Sequence, residues 1–310
     1  MTYPPMNGRQ WAVLIAMAGL WGSSFIWNEL ALASFGPLTI VAGRLTLGAL
    51  ILLAIVRASG LRLPGLRAPG GARRWGEFFV MGGVSNVIPI ALIVWGQGRI
   101  DAGLAAILNA TPPLFLVGLT ALSGEQPLTA GRLAAVAAGL AGAVVLADPG
   151  RGLGGEAAGI LAVTLACLSY AAGSLYGRRF RDVTPLAGAA GTILAAAVLT
   201  LPAALLIEQP WTLTPQPLSL LAIGGLGLFS TALAYLLYFR LLPQVGPTNV
   251  SVVAFLVPVA AILFGALLFG EVPRPAALAG MGLIFIGLAL LDGRPAAWLG
   301  RRLATAAARG

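Results

Sequence analysis

Polar side chains inside long apolar runs are the residues of this chain best suited to bind a ligand. Arg44 interrupts the apolar run from Pro37 to Val56, and Asn86 and Asn109 interrupt two later runs. A charge in the middle of a membrane-spanning helix costs about 2.5–3.5 kcal/mol on insertion scales, so such a group requires a partner. Arg44 could bind a carboxylate, but it could also extend to the membrane surface or pair with Glu29.

Hydroxyl and aromatic side chains near the middle of predicted helices are further candidates. Trp21 and Tyr170 suit the apolar part of a ligand, although ordinary packing explains them as well. Trp95 lies near a helix end, where aromatic residues usually form an interfacial belt. Ser and Thr hydroxyls inside helices often bond to a backbone carbonyl or a neighbouring helix. The candidate substrate contacts are Trp21, Ser24, Arg44, Asn86, Trp95, Asn109, Tyr170, Ser230 and Tyr235.

Three prolines fall within predicted helices and could act as hinges of a gate. Proline removes one backbone hydrogen bond and weakens the helix locally. Proline is also common in membrane helices without such a role, so the two interpretations are equally supported. The candidate hinge residues are Pro89, Pro112 and Pro258.

The composition provides little support for enzyme chemistry. The chain has no His and one Cys, Cys167, which excludes a Ser-His-Asp triad, a His-ligated metal and a thiolate cluster. It has no phosphate-binding G-x-x-x-x-G-K-[ST] motif, so the chain itself does not hydrolyse ATP. We therefore predict no enzyme activity, no cofactor and no metal. The acids fall near helix ends or in loops, which favours facilitated diffusion or exchange over tight proton coupling.

The overall composition indicates a protein whose outer surface faces lipid. The chain is 58% hydrophobic and 9% charged, whereas soluble domains are about 25% charged. Apolar runs bounded by turn-forming and charged residues predict ten transmembrane helices. These lie at about 11–32, 37–57, 76–97, 102–123, 130–148, 157–177, 185–207, 217–239, 248–269 and 276–292. The net charge of +9 does not indicate a nucleic-acid partner, because the basic residues are spread over short gaps.

Arginine residues are distributed unequally between alternate gaps. All 19 basic residues of the chain are Arg. The gaps on one side contain 15 of them, the gaps on the other side contain only Arg99, Arg151 and Arg274, and Arg44 lies within a helix. Because cytoplasmic loops are enriched in basic residues, both the N- and C-termini are predicted to be cytoplasmic. If one helix had been missed, the gaps beyond it would no longer alternate between arginine-rich and arginine-poor.

Sequence matches in the same order divide the chain into two halves. The matched positions are Gly36-Pro37-Leu38 with Thr184-Pro185-Leu186, Gly82-Gly83 with Gly224-Gly225, and Pro112 and Glu125 with Pro258 and Glu271. We predict a first five-helix repeat over residues 1–150 and a second over 151–310 with a short basic tail, and no soluble domain. An odd number of helices inverts the second repeat, so a substrate site is expected near the midplane between the repeats.

In this alignment of the two halves, two of the candidate residues match residues of a different type. Arg44 aligns with Thr192, and Asn86 aligns with Leu228. Asn86 therefore breaks the pseudo-symmetry, as expected for a site that binds an asymmetric substrate.

Four short motifs point to a protein family. They are Leu20-Trp21-Gly22-Ser23-Ser24-Phe25, Pro37 through Arg44-Leu45, Ala110-Thr111-Pro112-Pro113-Leu114-Phe115 running to Gly124-Glu125, and Val257-Pro258-Val259 running to Phe269-Gly270-Glu271. The chain resembles the drug/metabolite transporter (DMT) superfamily, in its ten-helix EamA branch, over about residues 8–293. The resemblance implies an all-α integral membrane transporter of the bacterial cytoplasmic (inner) membrane. Branch members export amino acids, nucleosides, sugars and other metabolites, and the chain looks similar to the bacterial amino-acid exporters among them.

The expectation is thus export of neutral or aromatic amino acids by alternating access. One alternative is an exporter of another small metabolite, such as a nucleoside, a sugar or a drug-like cation. Another is a lipid scramblase, which would have a polar groove open to lipid in place of a closed central cavity. The expected partners are a small-molecule substrate and the lipid bilayer, with no nucleic acid. The chain is a monomer or a homodimer, since a small-residue stripe could pack against another helix. The stripe consists of Gly131, Ala135, Gly139 and Ala143.

Overall fold

The computed structural model describes residues 6–125, 129–147, 155–180 and 182–292. Within them, seven helices are long and apolar enough to cross a membrane, and three further apolar helices are shorter. The helical segments are α1 (Gly8–Leu32), α2 (Pro37–Ala58), α3 (Gly71–Gln97), α4 (Ala102–Leu122), α5 (Ala130–Ala147), α6 (Gly155–Phe180), α7 (Pro185–Glu208), α8 (Pro217–Gly246), α9 (Val253–Phe269) and α10 (Pro275–Asp292). The prediction of an all-α membrane protein is confirmed. The predicted repeat junction at residue 150, Arg151 and the basic tail lie outside the described residues.

Several helix ends differ from the predicted ones by a few residues. The first helix begins at Gly8 because Asn7 and Gln10 cap each other's backbone N–H groups, both at 3.0 Å. The third begins at Gly71, earlier than predicted. The eighth continues to Gly246, whose φ of 77° interrupts the helix. Local capping and glycine conformation decide these ends, and hydropathy alone does not detect them.

Irregular segments interrupt several helices near their middle. α3 contains a π-helical segment at Gly83–Val87, and α8 contains a longer one at Leu226–Leu233. α4 is broken at Asn109–Thr111 and restarts at Pro112. Such π-segments are rare and occur frequently at functional sites, because they displace side chains from the regular helical register.

The loops gather at two ends of the bundle. The arginine-poor end is formed by residues 33–36, 98–101, 209–216 and 270–274, and the arginine-rich end by residues 59–70, 123–125 and 182–184. At the first, the Gln216 backbone N–H donates to Ser34 Oγ at 3.1 Å. At the second, Arg74 pairs with Asp182. Successive loops along the chain therefore lie alternately at the two ends of the bundle.

Helices pack in pairs that are related by exchange of the two halves. α2 packs against α7, α4 against α9 and α5 against α10. α1 packs on α8 and α9, as α6 packs on α3 and α4. Likewise α2 packs on α8, as α7 packs on α3. Replacing each helix by the one five positions away leaves this set of pairs unchanged.

Part of the small-residue stripe of α5 packs against another helix of the same chain. A Cβ at Gly142 would lie 2.7 Å from the Gly280 carbonyl oxygen on α10, and a Cβ at Gly287 would lie 2.6 Å from the Ala135 carbonyl oxygen. Small residues thus let the two helix backbones approach closely, as is usual in membranes. Ala135 and Gly139 of the stripe therefore contact Gly287 of α10 in the same chain.

Candidate functional site

A central cavity of about 270 Å³ lies between the two halves of the chain. Its walls come from α1, α2, α3, α4, α6, α8 and α9. Liquid water occupies about 30 Å³ per molecule, so the cavity has room for a small metabolite. Pockets for drug-sized ligands typically measure about 300–1,000 Å³, so this cavity is near the small end of that range. The predicted contacts that line it are Trp21, Ser24, Arg44, Asn86, Asn109, Tyr170 and Tyr235.

Arg44 is the one charged residue in the described wall of this cavity. Its Nε donates to Thr231 Oγ1 at 2.9 Å and its Nη2 donates to the Ser230 carbonyl oxygen at 3.4 Å. A guanidinium has five N–H donors, so three have no acceptor among the described residues. The alternative pairing with Glu29 is absent, and Glu29 Oε2 is buried without a hydrogen-bond partner. The cavity wall therefore holds a cation that has no counter-ion among the described residues.

Asn86 presents an amide with unmet hydrogen-bonding capacity. It lies in the π-helical segment of α3, is 3% exposed and makes no side-chain hydrogen bond to any described residue. Because this amide lines the cavity, a ligand bound there can serve as its hydrogen-bond partner. Asn109, at the break in α4, also lines the cavity, and its Oδ1 is buried without a partner.

Aromatic rings form one side of the cavity. The ring of Trp21 packs edge-on against Tyr235, with centroids 6.5 Å apart, and lies 6.0 Å from the ring of Tyr238. Tyr170 lines the cavity from α6. Rings in such edge and tilted arrangements provide a large apolar surface with a few hydroxyl groups. This side suits the apolar part of a ligand.

Two predicted contacts do not reach the cavity. Trp95 is 38% exposed, and the Arg99 guanidinium lies 3.5 Å from its ring centroid. Its position near the end of α3 places it on the outer surface, as in an interfacial belt. Ser230 is fully buried, and its Oγ has no partner. It contributes only its backbone carbonyl, which supports Arg44.

The three candidate hinge prolines occupy different settings. Pro89 is the second residue after the π-helical segment of α3, and Pro112 begins the second part of α4 after its break. Pro258 lies inside α9 without interrupting it and lines the cavity. Two of the three therefore coincide with a local irregularity of the backbone, and the hinge role stays a prediction.

The structure also identifies contacts that the sequence did not single out. Asn28 lines the cavity two turns after Trp21 and one turn after Ser24, on the same face of α1. That helical spacing could have pointed to it. Thr231 of α8 also lines the cavity, whereas Leu228, which the sequence matched to Asn86, is 43% exposed on the outside. Leu228 therefore does not line the cavity as Asn86 does, and the π-helical segment of α8 is longer than that of α3.

A family model now identifies the chain. The model of the EamA-like transporter family matches residues 9–147 and again residues 157–291. The chain belongs to the EamA-like transporter family. The superfamily resemblance is thereby confirmed, and the chain is a transporter whose partners are a small-molecule substrate and membrane lipid.

Relatives of known description agree with this assignment. The inner membrane transporter YedA of Escherichia coli K12 is 29% identical over 213 residues, 66% of this chain and 69% of YedA. A probable terminal-alkyne amino-acid exporter of Streptantibioticus cattleyicolor is 25% identical over 94% of this chain and 95% of its own length. A probable amino-acid metabolite efflux pump of Salmonella typhimurium LT2 is 23% identical over 91% and 94%.

A solved crystal structure shares the fold. It superposes with a TM-score of 0.66 at 22% identity, covering 96% of this chain and 99% of the other. Together with the apolar helices and the match to YedA, this makes the chain a multi-pass protein of the bacterial inner membrane.

Proposed function

We propose that the chain crosses the inner membrane ten times as two inverted five-helix repeats, with both termini in the cytoplasm. The helix pairs are unchanged by exchange of the two halves, and the family model matches the chain twice in succession. Alternate loops gather at opposite ends, one of them rich in arginine. Two inverted repeats can exchange conformations and thus open a central site alternately to each side.

The transported substrates are neutral and aromatic amino acids, and the unpaired Arg44 in the cavity wall is the observation that carries this conclusion. A desolvated cation requires an anion, and the planar guanidinium matches a carboxylate. Asn86 provides an amide for the other polar end of the substrate. The rings of Trp21 and Tyr235 cover its apolar side chain. The volume of about 270 Å³ suits one amino acid.

Transport proceeds by facilitated diffusion or exchange. The described residues that line the cavity include no Asp or Glu, which would be the usual proton carriers inside a membrane. A lipid scramblase is less well supported, because the grooves on the outer faces are lined almost entirely by apolar residues such as Leu119, Leu140, Leu221 and Phe229.

Counterflow in proteoliposomes tests this proposal. Vesicles preloaded with unlabelled phenylalanine, threonine or methionine should accumulate the labelled compound without an ion gradient. Phenylethylamine, which lacks the carboxylate, and phenylpropionate, which lacks the ammonium, should each compete poorly with phenylalanine. Strong competition by phenylethylamine would contradict the proposal that Arg44 binds the substrate carboxylate.

Matched variants distinguish the loss of a specific binding site from general destabilisation of the protein. Arg44→Met should abolish counterflow, whereas Arg99→Met, which alters an exposed arginine stacked on Trp95, should leave it unchanged. No counterflow of any amino acid by the wild type would contradict the substrate assignment and favour another metabolite. A pH gradient that drives uphill transport would contradict the uncoupled mechanism.

A further inference from the structure

The break in α4 leaves one backbone carbonyl group without its local hydrogen-bond donors. The first part of this helix ends at Leu108, and Asn109 follows as its C-terminal cap. In a continuous helix, the Asn109 carbonyl oxygen would accept from the backbone N–H three or four residues later. Both of those residues are proline, Pro112 and Pro113, and neither has an N–H group. The sequence at the break therefore removes both donors that a helix would supply to this oxygen.

The neighbouring carbonyl oxygen, that of Leu108, is in a different situation. It accepts from Thr111 N at 3.1 Å, from Thr111 Oγ1 at 2.7 Å and from Cys167 Sγ at 3.3 Å. Asn109, by contrast, lines the central cavity, and its side-chain Oδ1 is buried without a hydrogen-bond partner. One cavity-lining residue thus carries an unbonded side-chain oxygen next to a carbonyl oxygen that has lost its helical donors.

The charge distribution at this break suits a cation. The first part of α4, Ala102–Leu108, directs the negative end of its helix dipole toward the break. The second part could attract an anion only through free N–H groups, but its first two residues are prolines. The next N–H group, of Leu114, already donates to the Thr111 carbonyl oxygen at 2.9 Å. Carbonyl groups at interrupted helices bind cations in other membrane transporters.

Asn28 on α1 adds another acceptor to the same cavity. It is 1% exposed, and its Oδ1 is buried without a partner. Its Nδ2 donates to Gln97 Oε1 at 2.8 Å, and Gln97 Nε2 donates to the Phe25 carbonyl oxygen at 2.9 Å. A carbonyl oxygen can only accept, so Phe25 fixes the orientation of the Gln97 amide, which in turn fixes that of Asn28. Asn28 is therefore held with its nitrogen toward Gln97 and its oxygen unbonded.

We propose that Asn28 and Asn109 bind the ammonium group of the substrate, and that Gln97 positions Asn28 for this contact. The inference rests on the proposed function, in which Arg44 binds the carboxylate. An ammonium group has three N–H donors and no acceptor, so it matches a set of unbonded oxygens. Hydrogen bonds from a charged donor are also stronger than neutral ones. The amide of Asn86, which lines the same cavity, provides a further acceptor.

Equilibrium binding to the purified protein in nanodiscs tests this assignment. The dissociation constant of labelled phenylalanine is compared with that of phenylpropionate, which has the same ring and carboxylate but no ammonium group. Asn109→Leu should weaken phenylalanine binding about tenfold, as expected for the loss of a hydrogen bond from a charged donor. Phenylpropionate binding should stay unchanged, so the preference for phenylalanine should fall by the same factor.

Pro113→Ala tests the backbone carbonyl without altering a side chain of the cavity wall. The new N–H group can donate to the Asn109 carbonyl oxygen, so phenylalanine affinity should fall about threefold to fivefold. Phenylpropionate affinity should again stay unchanged. Thr111→Val is the matched control, because it removes a hydroxyl at the same break that bonds to the Leu108 carbonyl oxygen. It should leave the preference for phenylalanine intact.

Gln97 is tested as a positioning residue through the same preference. In Gln97→Leu the Asn28 amide is free to rotate, so the preference for phenylalanine over phenylpropionate should fall about threefold. Gln97→Glu keeps an oxygen that accepts from Asn28 Nδ2 and should restore the preference. A residue with a purely structural role would instead change the binding of both compounds together.

The outcomes separate the ammonium site from the substrate assignment. Equal losses of phenylalanine and phenylpropionate binding in Asn109→Leu and Pro113→Ala would overturn the ammonium site. Phenylalanine binding that requires Na⁺ in the wild type but not in Asn109→Leu would assign these oxygens to a metal ion instead. Wild-type binding of phenylethylamine but not phenylalanine, weakened by Asn109→Leu, would retain the ammonium site and reject amino acids. Binding of neither compound by the wild type would reject both proposals.

Discussion

The first half of the chain supplies the charged and amide groups of the cavity, whereas the second half supplies mainly apolar and aromatic groups. Arg44 and Asn86 come from the first half, and Tyr235 and Val257 come from the second. The helices that carry them nevertheless pack in equivalent pairs. A symmetric framework can adopt two equivalent states, and divergent side chains within it can orient an asymmetric substrate. The residues that set the helix packing thus differ from those that would determine substrate specificity.

The comparison is sharpest between α3 and α8, which occupy equivalent places. Both contain a π-helical segment, Gly83–Val87 in the first and Leu226–Leu233 in the second. The shorter segment presents Asn86 to the cavity, and the longer one presents Thr231. Substitutions that give one half the residue of the other test whether this difference determines transport.

The largest effect is expected from Arg44→Thr, which places the residue found at the matching position, Thr192, in the first half. Hydrogen bonds to a charged group are worth about 1.5–3 kcal/mol, and each 1.4 kcal/mol corresponds to about tenfold. The apparent affinity for phenylalanine in counterflow should fall about 10- to 100-fold. Arg99→Thr serves as the matched control. Full affinity in Arg44→Thr would show that the asymmetry of charge is not used for binding.

A smaller loss is expected from Asn86→Leu, which removes the unpaired amide of α3. Losing one or two hydrogen bonds to the substrate should reduce counterflow about fivefold to tenfold. Leu228→Asn, the reciprocal change, should have little effect, because this residue is exposed on the outer face. Equal losses of counterflow in both variants would mean that α3 and α8 contribute equally to substrate transport.

Thr231→Val should reduce substrate affinity about threefold to fivefold. The hydroxyl of Thr231 accepts from Arg44 Nε, and the expected loss is smaller than the roughly 1.5–3 kcal/mol of a hydrogen bond to a charged group because the variant keeps the guanidinium itself. Without it the guanidinium loses part of its orientation. Thr200→Val is the matched control, since its hydroxyl bonds only within α7. A loss as large as that of Arg44→Thr would show that Thr231 contacts the substrate itself.

The smallest expected effect concerns the two matching loop glutamates. Glu125 pairs with Arg178, whereas burial and the nearby Asp101 raise the pKa of Glu271. The folded state then holds the Glu271 proton more tightly than the unfolded chain, so the free energy of unfolding decreases as pH rises from about 4.3 through the raised pKa. At pH 7, Glu271→Gln should therefore raise this free energy by less than about 1 kcal/mol.

Thermal unfolding in detergent as a function of pH measures this difference. The advantage of Glu271→Gln should disappear below about pH 4, where both states of the wild-type residue are protonated. Glu125→Gln should instead lower stability slightly, because it removes an ion pair. The same sign for both variants would contradict the difference between the two loops.

Much of the fold could be predicted from the sequence, because the membrane imposes a strong pattern. Apolar runs of about 20 residues bounded by Gly, Pro and charge are the signature of membrane helices. Seven of the predicted ranges correspond to described helices long and apolar enough to cross a membrane, and the other three correspond to shorter apolar helices. The π-helical segments at Gly83–Val87 and Leu226–Leu233 could not be predicted, since they depend on packing against neighbouring helices.

The candidate site was predicted largely from buried polarity. Arg44 and Asn86 stood out because polar groups inside apolar runs are costly, and both line the cavity. Trp95 has the same chemistry as Trp21 but lies on the outer surface, and sequence spacing within one helix does not reveal which face meets the other half. Asn28 was missed because it lies near a helix end, where polar residues are common.

The sequence by itself determined the membrane class, the helical segments and the family. These properties follow from composition and from local periodicity, which each segment carries without reference to the others. Only the tertiary structure decided which residues share the cavity and that Arg44 has no carboxylate partner among the described residues. It also showed that Glu208, at the end of α7, accepts hydrogen bonds from the first turn of α2. These features depend on the rotation and register of helices from different halves, which are set by side-chain packing over distances of more than 100 residues in the chain.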